Sequence, residues 1–211
     1  MTAPLDLFPA SEFDDWAETY DNSISIDQFP FHGYRDVLAK IVSLTGPRPG
    51  LSVLDLGTGT GNLALHFTRA GCKLWCTDFS QPMLAKASHK LPEAHCFLHD
   101  LRLPLPPEFT GPFDYIVSAY VFHHFELEDK IRILRGLLPH LAPGGSIIIG
   151  DISFQSNSAL EQVKAEVGEE WEDEFYWLVD ESVLALESQG FTVLYEQVSS
   201  CAGVFKIGYD S

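Results

Sequence analysis

Positive charge is scarce in this sequence. Of its 211 residues, 13 are lysine or arginine and 30 are aspartate or glutamate, which gives a formal net charge of −17. Such a surface repels phosphate backbones and anionic lipid headgroups, so we expect no nucleic acid and no membrane surface among the partners. High solubility is the simplest consequence of the excess negative charge.

Long apolar runs and paired cysteines are also missing. No apolar run approaches the ~20 residues needed to span a bilayer. The N-terminal stretch MTAPLDLFPASEFDDW has neither the basic nor the apolar region of a signal peptide. The four cysteines (Cys72, Cys76, Cys96 and Cys201) form no CxxC motif and have no metal-like histidine partner. We therefore expect a cytoplasmic protein with reduced, mostly buried thiols.

Short apolar runs alternate with helix-like patterns along most of the chain, and this alternation predicts a parallel sheet covered by helices on both faces. The last two runs are joined only by SSCAG, which is too short for a helical crossover, so they should form an antiparallel hairpin at one edge. The fold is therefore predicted to be α/β, with a Rossmann-like, seven-stranded, mostly parallel sheet. The predicted strands are residues 51–56, 73–77, 95–98, 113–119, 146–151, 191–198 and 204–209.

The length favours a single domain over residues 1–211, in which three regions are expected to differ in role. Two helices at about 12–19 and 31–44 form an N-terminal lid over residues 1–46, residues 51–151 form the cofactor-binding core, and residues 152–211 lie on the substrate side. Within the last region, the acidic and aromatic stretch EEWEDEFYW has two interpretations. We favour an amphipathic helix that buries Trp171, Phe175 and Leu178; the alternative is a pocket wall for a cationic or apolar acceptor, with Glu172 and Glu174 nearby.

The stretch VLDLGTGTGNLA, residues 53–64, places glycine at every second position directly after a predicted buried strand. Glycines let the backbone turn sharply and let a ligand approach main-chain atoms, while a helix starting near Asn62 would direct free N–H groups at that ligand. Asp78 ends the second strand, 23 residues after Asp55, where a carboxylate can accept hydrogen bonds from ribose hydroxyls. These features predict a nucleoside-containing cofactor.

The loop also distinguishes between cofactors. A dinucleotide fingerprint reads GxGxxG, and here Asn62 stands in the place of the third glycine. Asp55, Asp78 and Asp100 would surround the ligand with negative charge, which suits the sulfonium and ammonium groups of S-adenosylmethionine better than a pyrophosphate. S-Adenosylmethionine is therefore the predicted cofactor, and an NAD(P)-dependent oxidoreductase is the first alternative.

Five motifs in order carry a family resemblance: VLDLGTGTGNLA, CTDFSQPMLAKA, HDLRLPLP, FDYIVSAYVFHHF and LAPGGSIIIGD. The sequence resembles the class I S-adenosylmethionine-dependent methyltransferases, strongly over residues 12–151, and is most similar to small bacterial members with an N-terminal segment like FDDWAETYD. The resemblance implies methyl transfer to a small-molecule acceptor. A non-catalytic S-adenosylmethionine-binding protein is a second alternative. SAYV stands where amino-directed nucleic-acid methyltransferases have Asn-Pro-Pro-aromatic, which disfavours a DNA or RNA substrate. The oligomeric state stays open.

By that resemblance, residues 57–61 would wrap the methionine portion of the cofactor, Asp78 would hold the ribose and Asp100 would accept from the adenine amino group. Asp100 could instead cap the turn that follows its strand, and Tyr34 could serve only in packing. The implied cofactor-binding residues are Asp55, Gly57, Thr58, Gly59, Gly61, Asn62, Asp78, Phe79, Met83, Asp100, Leu101, Ser118, Ala119, Tyr20 and Tyr34.

The motif YVFHHF follows the fourth predicted strand, where the transferred methyl should lie. His123 and His124 are the only base candidates there with a pKa near neutrality, and we expect one of them to act as a general base or to orient the substrate. Tyr20 would close over the same site. The alternative is that neither histidine is catalytic and the enzyme acts by positioning. We expect no metal, because adjacent histidines seldom chelate one ion and no third ligand stands at a recognisable spacing.

Overall fold

The computed structural model describes residues 9–109 and 111–209. In chain order, the strands are β1 (Ser52–Leu56), β2 (Lys73–Asp78), β3 (His95–Leu98), β4 (Phe113–Ala119), β5 (Leu141–Phe154), β6 (Trp177–Leu178), β7 (Phe191–Gln197) and β8 (Ala202–Tyr209). The helices are α1 (Ala10–Trp16), α2 (Tyr20–Ser23), α3 (Tyr34–Thr45), α4 (Ala64–Arg69), α5 (Gln81–Lys90), α6 (Leu127–Leu137), α7 (Asn157–Val167) and α8 (Val179–Ser188). Within these ranges, no helix combines the length and the apolar character that crossing a bilayer requires.

The main sheet has the order β3-β2-β1-β4-β5-β8-β7. Strands β1 to β5 are parallel, and β8 runs antiparallel to both of its neighbours, β5 and β7. The predicted Rossmann-like sheet with an antiparallel edge hairpin is therefore confirmed. The eighth strand, β6, was not predicted; it pairs with the end of β5 over only two residues, which is too short for an alternating pattern to be visible.

The strand order reverses between β1 and β4, and this reversal places the site. From β1 the chain proceeds outward to β2 and β3, and it then returns to β4 on the other side of β1. Ligands of open α/β sheets bind in the crevice that opens at the carboxyl ends of the strands at such a point. The glycine loop follows β1 and the histidine motif follows β4, so both lie at this crevice.

Helices cover both faces of the sheet. On one face α3 packs closely against β5, because Gly150 leaves space for it: a Cβ atom at that position would lie 2.4 Å from Cγ1 of Val37. On the other face, Ile133 and Leu134 of α6 are buried with Ile147 of β5. The apolar side chains buried on the two faces of the sheet hold β1 and β4 in place beneath the crevice.

The predicted amphipathic helix over the EEWEDEFYW stretch is wrong. Helix α7 ends at Val167, Gly168 has a φ of +68°, and residues 171–176 are neither helix nor strand. The helical spacing is misleading because Trp177 and Leu178 pair with β5 instead. Smaller differences concern boundaries: α4 begins at Ala64 rather than near residue 62, and the first two predicted helices are observed as 10–16 and 34–45.

Candidate cofactor and acceptor site

A cavity of about 740 Å³ opens at the carboxyl ends of the strands, and a small side pocket adjoins it beneath α3. The walls come from the glycine loop, the ends of β2 and β4, the N-terminal helices and residues 170–176. These two spaces bring together all but two of the predicted site residues. They are lined by Tyr20, Tyr34, Asp55, Gly57, Thr58, Gly59, Asn62, Asp78, Phe79, Met83, Asp100, Leu101, Ala119, His123 and His124.

The glycine loop has the backbone conformation that its sequence predicts. Gly57 and Gly59 have φ values of +63° and +53°, the left-handed region that side chains disfavour. A Cβ atom on Gly57 would also lie 2.4 Å from Cγ2 of Val121. Thr58 fixes the turn between the two glycines: its N–H donates to the carbonyl of Thr77 (2.7 Å) and its hydroxyl donates to Oδ2 of Asp55 (2.7 Å).

Two buried carboxylates face the loop without a lysine or arginine partner among the described contacts. Asp78 accepts hydrogen bonds from the N–H groups of Gly59 (2.7 Å) and Ser80 (2.9 Å). Burial nevertheless raises the pKa of Asp78 to about 6, and burial raises the pKa of Asp55 to about 7. A cationic ligand would favour the charged form of both, whereas a phosphate would oppose it. This pair of buried carboxylates fits a nucleoside that carries a sulfonium.

Phe79, Met83 and Leu101, which the resemblance assigns to the adenine, line one part of the cavity. Phe13 of α1 packs edge-on against Phe79 with 4.9 Å between ring centroids. Asp100 lies here but is held by Arg102, whose Nε is 2.9 Å and Nη2 is 2.7 Å from its Oδ2. His99 was not predicted from the sequence as a site residue. This histidine lines the cavity, and its buried Nε2 has no hydrogen-bond partner among the described residues.

Two predicted cofactor residues do not reach the cavity. Ser118 is fully buried, and its hydroxyl donates to the carbonyl of Leu56 (2.8 Å), which links β4 to β1. Gly61 is needed for packing, since a Cβ atom there would lie 3.0 Å from Leu91 and 3.4 Å from the backbone of Ala87 on α5. Both residues support the loop from outside the site.

Helix α2 is attached to the end of the glycine loop through Asp21. Its Oδ1 accepts from Thr60 (2.6 Å) and Asn62 (3.0 Å), and its Oδ2 lies 2.9 Å from Nζ of Lys90. The side chain of Asn62 therefore contacts the N-terminal region, although the residue also lines the side pocket. Tyr20 begins the same helix and reaches the glycine loop: Cε1 of its ring lies 4.0 Å from a Cβ built on Gly59.

The histidine motif lines the same cavity, and the ring of His124 lies edge-on to Phe13 with 5.2 Å between centroids. Nδ1 of His123 is 2.5 Å from Oδ1 of Asp151, and its Nε2 is 3.7 Å from Oε2 of Glu174. Nδ1 of His124 is 3.4 Å from Oε1 of the same glutamate. The N–H of Phe175 donates to the carbonyl of His123 (2.9 Å), which joins residues 171–176 to the motif. Within the part of the chain that the structure describes, His123, His124 and Glu174 form the one group able to surround a metal ion.

The two imidazoles have opposite pKa shifts. Burial alone would lower the pKa of His123, but the carboxylates of Asp151 and Glu174 outweigh it and raise that pKa above its usual value. Burial and the neighbouring His123 lower the pKa of His124, and Glu174 only partly opposes them. One member of the pair is therefore held toward the charged form and the other toward the neutral form.

Comparison with known proteins identifies the family. Residues 53–145 match the family described as "Methyltransferase domain". An uncharacterized methyltransferase from Geobacillus kaustophilus (strain HTA426) is 32% identical over 208 residues, which cover 92% of this chain and 94% of that relative. The chain belongs to the S-adenosylmethionine-dependent methyltransferases. The predicted family, enzyme class and cofactor are thereby confirmed, and the oxidoreductase alternative is set aside.

Solved structures show the same fold in this methyltransferase. A DhpI–SAM–HEP complex superimposes with a TM-score of 0.74 at 19% identity and covers 98% of this chain and 100% of that one. Magnesium protoporphyrin IX methyltransferase (ChlM) from Synechocystis PCC 6803, with bound SAH, superimposes with a TM-score of 0.70 at 17% identity and covers 94% and 99%.

Two residues behind the histidines, Lys130 and Asp151, were not predicted from the sequence as site residues. The methyltransferase buries Lys130 of α6, whose Nζ donates to the carbonyl of Phe175 and lies 4.5 Å from the ring centroid of Trp177. Burial lowers the pKa of this lysine to about 8, although Asp151 opposes the shift. The indole N–H of Trp177 donates to Oδ2 of Asp151 (3.0 Å). The available signal for Lys130 was a lysine at helical spacing from the apolar Leu127 and Leu134, and the signal for Asp151 was the GD at the end of an apolar run.

Proposed function

We propose that this methyltransferase acts on a small-molecule acceptor, held between the histidine pair and the N-terminal helices. One observation carries the proposal: a single cavity of about 740 Å³ is lined by the glycine loop and by the His123–His124–Glu174 group. Its size is within the range of about 300–1,000 Å³ that is usual for small-ligand sites. A nucleic-acid acceptor is disfavoured by the net charge of −17.

Bound S-adenosylmethionine supplies a methyl group on positively charged sulfur, which is already a good leaving group. The chain has to hold the cofactor, align the acceptor with the methyl and exclude water. Residues 57–59 would hold the methionine portion and Asp78 the ribose, while Phe79, Met83 and Leu101 would enclose the adenine. Tyr20 would close the site over the glycine loop. This assignment is supported by the left-handed glycines and by the buried, cation-seeking carboxylates.

The two histidines have different proposed roles. His124 is the base candidate, because its lowered pKa keeps its imidazole neutral at pH 7 and able to take a proton from the acceptor. Glu174, 3.4 Å from Nδ1 of His124, would stabilise the resulting imidazolium. His123 is held by Asp151 and would orient the acceptor and the neighbouring loop. The alternative, that both histidines only position the acceptor, predicts little dependence of kcat on His124.

The proposal is tested by screening a metabolite extract and a panel of pure acceptors for S-adenosylhomocysteine formation. We expect turnover on small acceptors and none on DNA or RNA. His124→Ala should lower kcat by roughly 10²–10⁴-fold, the range usual for general bases. His66→Ala, on α4 and outside the cavity lining, is the matched control. Tight cofactor binding without turnover on any acceptor would support the non-catalytic alternative instead. The cytoplasmic location stays a prediction, which the four free cysteines support.

A further inference from the structure

The acceptor side of the cavity is strongly acidic. Among the described lining residues, five carboxylates lie outside the proposed cofactor contacts: Glu126, Asp129, Glu170, Glu172 and Glu174. The one lysine or arginine in the same lining is Arg102, and its guanidinium is bound to Asp100 on the adenine side. Asp129 has its own partner in Arg132 (2.8 Å). Arg132 also donates to the carbonyl of Arg102 (3.0 Å), so Asp129 lies beside Arg102, and Glu174 faces the two histidines at 3.4 and 3.7 Å. Glu126 and the exposed Glu170 and Glu172 give the rest of this lining a negative potential, which attracts cations and repels carboxylate groups.

The same end of the cavity is walled by aromatic rings. Phe29 and Tyr176 line the cavity and lie edge-on to each other with 6.2 Å between ring centroids, and Trp171 stacks on Phe29 from outside the lining at 4.8 Å. Phe31 approaches Tyr120 at 5.6 Å. These walls offer apolar surface to the body of a ligand, and their π faces attract a cation.

Tyr120 provides an independent sign of a ligand. It is the one described residue other than glycine with a positive φ, +57°, a conformation that persists only where the surrounding structure enforces it. Its side chain lines the cavity and is 7% exposed, yet its hydroxyl has no hydrogen-bond partner among the described residues. A buried hydroxyl without a partner is costly unless a ligand supplies one, and a ligand N–H would do so.

We propose that the acceptor is an amine on an apolar or aromatic body, bound as its ammonium ion and methylated on nitrogen. This inference rests on the proposed function. The acidic rim would attract the ammonium, the aromatic walls would enclose the body, and the hydroxyl of Tyr120 would accept an N–H hydrogen bond.

The proton balance favours nitrogen over an alcohol oxygen. An ammonium ion gives one proton to His124, and the freed nitrogen lone pair forms the bond to the methyl carbon. The C–S bond breaks, its electron pair stays on sulfur, and the product leaves as a methylated ammonium ion. An alkylammonium has a pKa of about 10, as in lysine, whereas water has a pKa of about 15.7, and alcohols are similarly weak acids. A neutral imidazole therefore removes the ammonium proton at a far smaller cost.

The test uses the full chain loaded with S-adenosylhomocysteine and three probes of matched shape: 2-phenylethylamine, 2-phenylethanol and 3-phenylpropanoate. Calorimetric titration should show the amine binding roughly tenfold more tightly than the alcohol, with no detectable binding of the carboxylate. The advantage of the amine should shrink at high NaCl concentration, because exposed glutamates such as Glu172 contribute to it.

Three variants separate charge from fold. Glu172→Gln should weaken binding of the amine several-fold and leave the alcohol unchanged, whereas Glu169→Gln, exposed and outside the lining, should change neither. Tyr120→Phe removes only the unpartnered hydroxyl and should weaken the amine while S-adenosylhomocysteine still binds. If S-adenosylhomocysteine binds but the amine binds no better than the alcohol, or the carboxylate binds best, the amine inference is overturned and the proposed function stands. If S-adenosylhomocysteine does not bind, the proposed function fails, and this inference fails with it.

Discussion

Asp151, the eleventh residue of β5, contacts His123, which lies 28 positions earlier in the chain, with 2.5 Å between Oδ1 and Nδ1. Both side chains are buried, and the second oxygen of Asp151 accepts from Trp177. An ionised carboxylate can only accept, so Nδ1 of His123 must carry a proton. The pair therefore fixes the tautomer of His123 and leaves its Nε2 facing Glu174.

Replacing Asp151 should destabilise the fold and change its pH dependence. Removing one member of a buried ion pair costs about 3–5 kcal/mol. The raised pKa of His123 in the folded state contributes stability that is complete below pH 6.5 and is lost as the pH rises through that raised value. We expect Asp151→Asn to lower the free energy of unfolding, most strongly in acidic and neutral buffer.

Urea denaturation of wild type and variant at several pH values measures this difference. Asp36→Asn, an exposed carboxylate on α3, is the control and should lose less than about 0.5 kcal/mol. A difference between Asp151→Asn and wild type that does not shrink toward alkaline pH would contradict the assigned pair.

The charge of Asp78 should cost stability in the apo protein and favour binding of the cofactor. Its raised pKa of about 6 means that stability is complete below about pH 4 and is lost as the pH rises through 6. Between pH 4 and pH 8 we expect the stability of the apo wild type to fall by about 2–3 kcal/mol relative to Asp78→Asn, in proportion to the two-unit shift. The same variant should bind S-adenosylhomocysteine at least tenfold more weakly. A stability difference that stays constant between pH 4 and pH 8, together with normal binding by the variant, would disprove this account of Asp78.

Gly57 and Gly136 give a matched pair of glycine-to-alanine substitutions. At Gly57 the left-handed φ and the contact with Val121 should cost more than about 2 kcal/mol and disrupt cofactor binding. Gly136 lies inside α6, and a Cβ there would meet nothing within 4 Å, so alanine should stabilise the protein by about 0.5–1 kcal/mol. Thermal denaturation measures the change in Tm of both variants relative to wild type. Equal changes in Tm would contradict the left-handed conformation of Gly57.

Methyl transfer should continue in excess EDTA. His123, His124 and Glu174 are close enough to surround an ion. However, Asp151 and Glu174 overcome the effect of burial and raise the pKa of His123, so its protonated form, which has no lone pair for a metal, competes more strongly with metal binding. We therefore expect activity and Tm to be unchanged by the chelator. Loss of activity that zinc or cobalt restores would show that this group holds a cation.

The features that the sequence revealed are local ones. The glycine loop, the strands and the order of the motifs depend on neighbouring residues, and the structure reproduces them. The contacts of Glu174 and Lys130 with the histidine motif depend on how residues 171–177 cross the cavity, which no local spacing encodes. Trp171 and Phe175 have helical spacing, yet Trp171 stacks on Phe29 and the backbone of Phe175 bonds to His123. Ser118 lies outside the cavity lining, and its strand position alone does not show that its hydroxyl bonds to β1.

Calorimetric titration of the intact chain with S-adenosylhomocysteine tests the central claim most directly. We expect one site per chain, with a Kd between roughly 1 μM and 1 mM as for ordinary enzyme ligands. Binding should be lost in Gly57→Ala and retained in Gly136→Ala. The absence of binding heat with both S-adenosylhomocysteine and S-adenosylmethionine, at more than one temperature, would contradict the account.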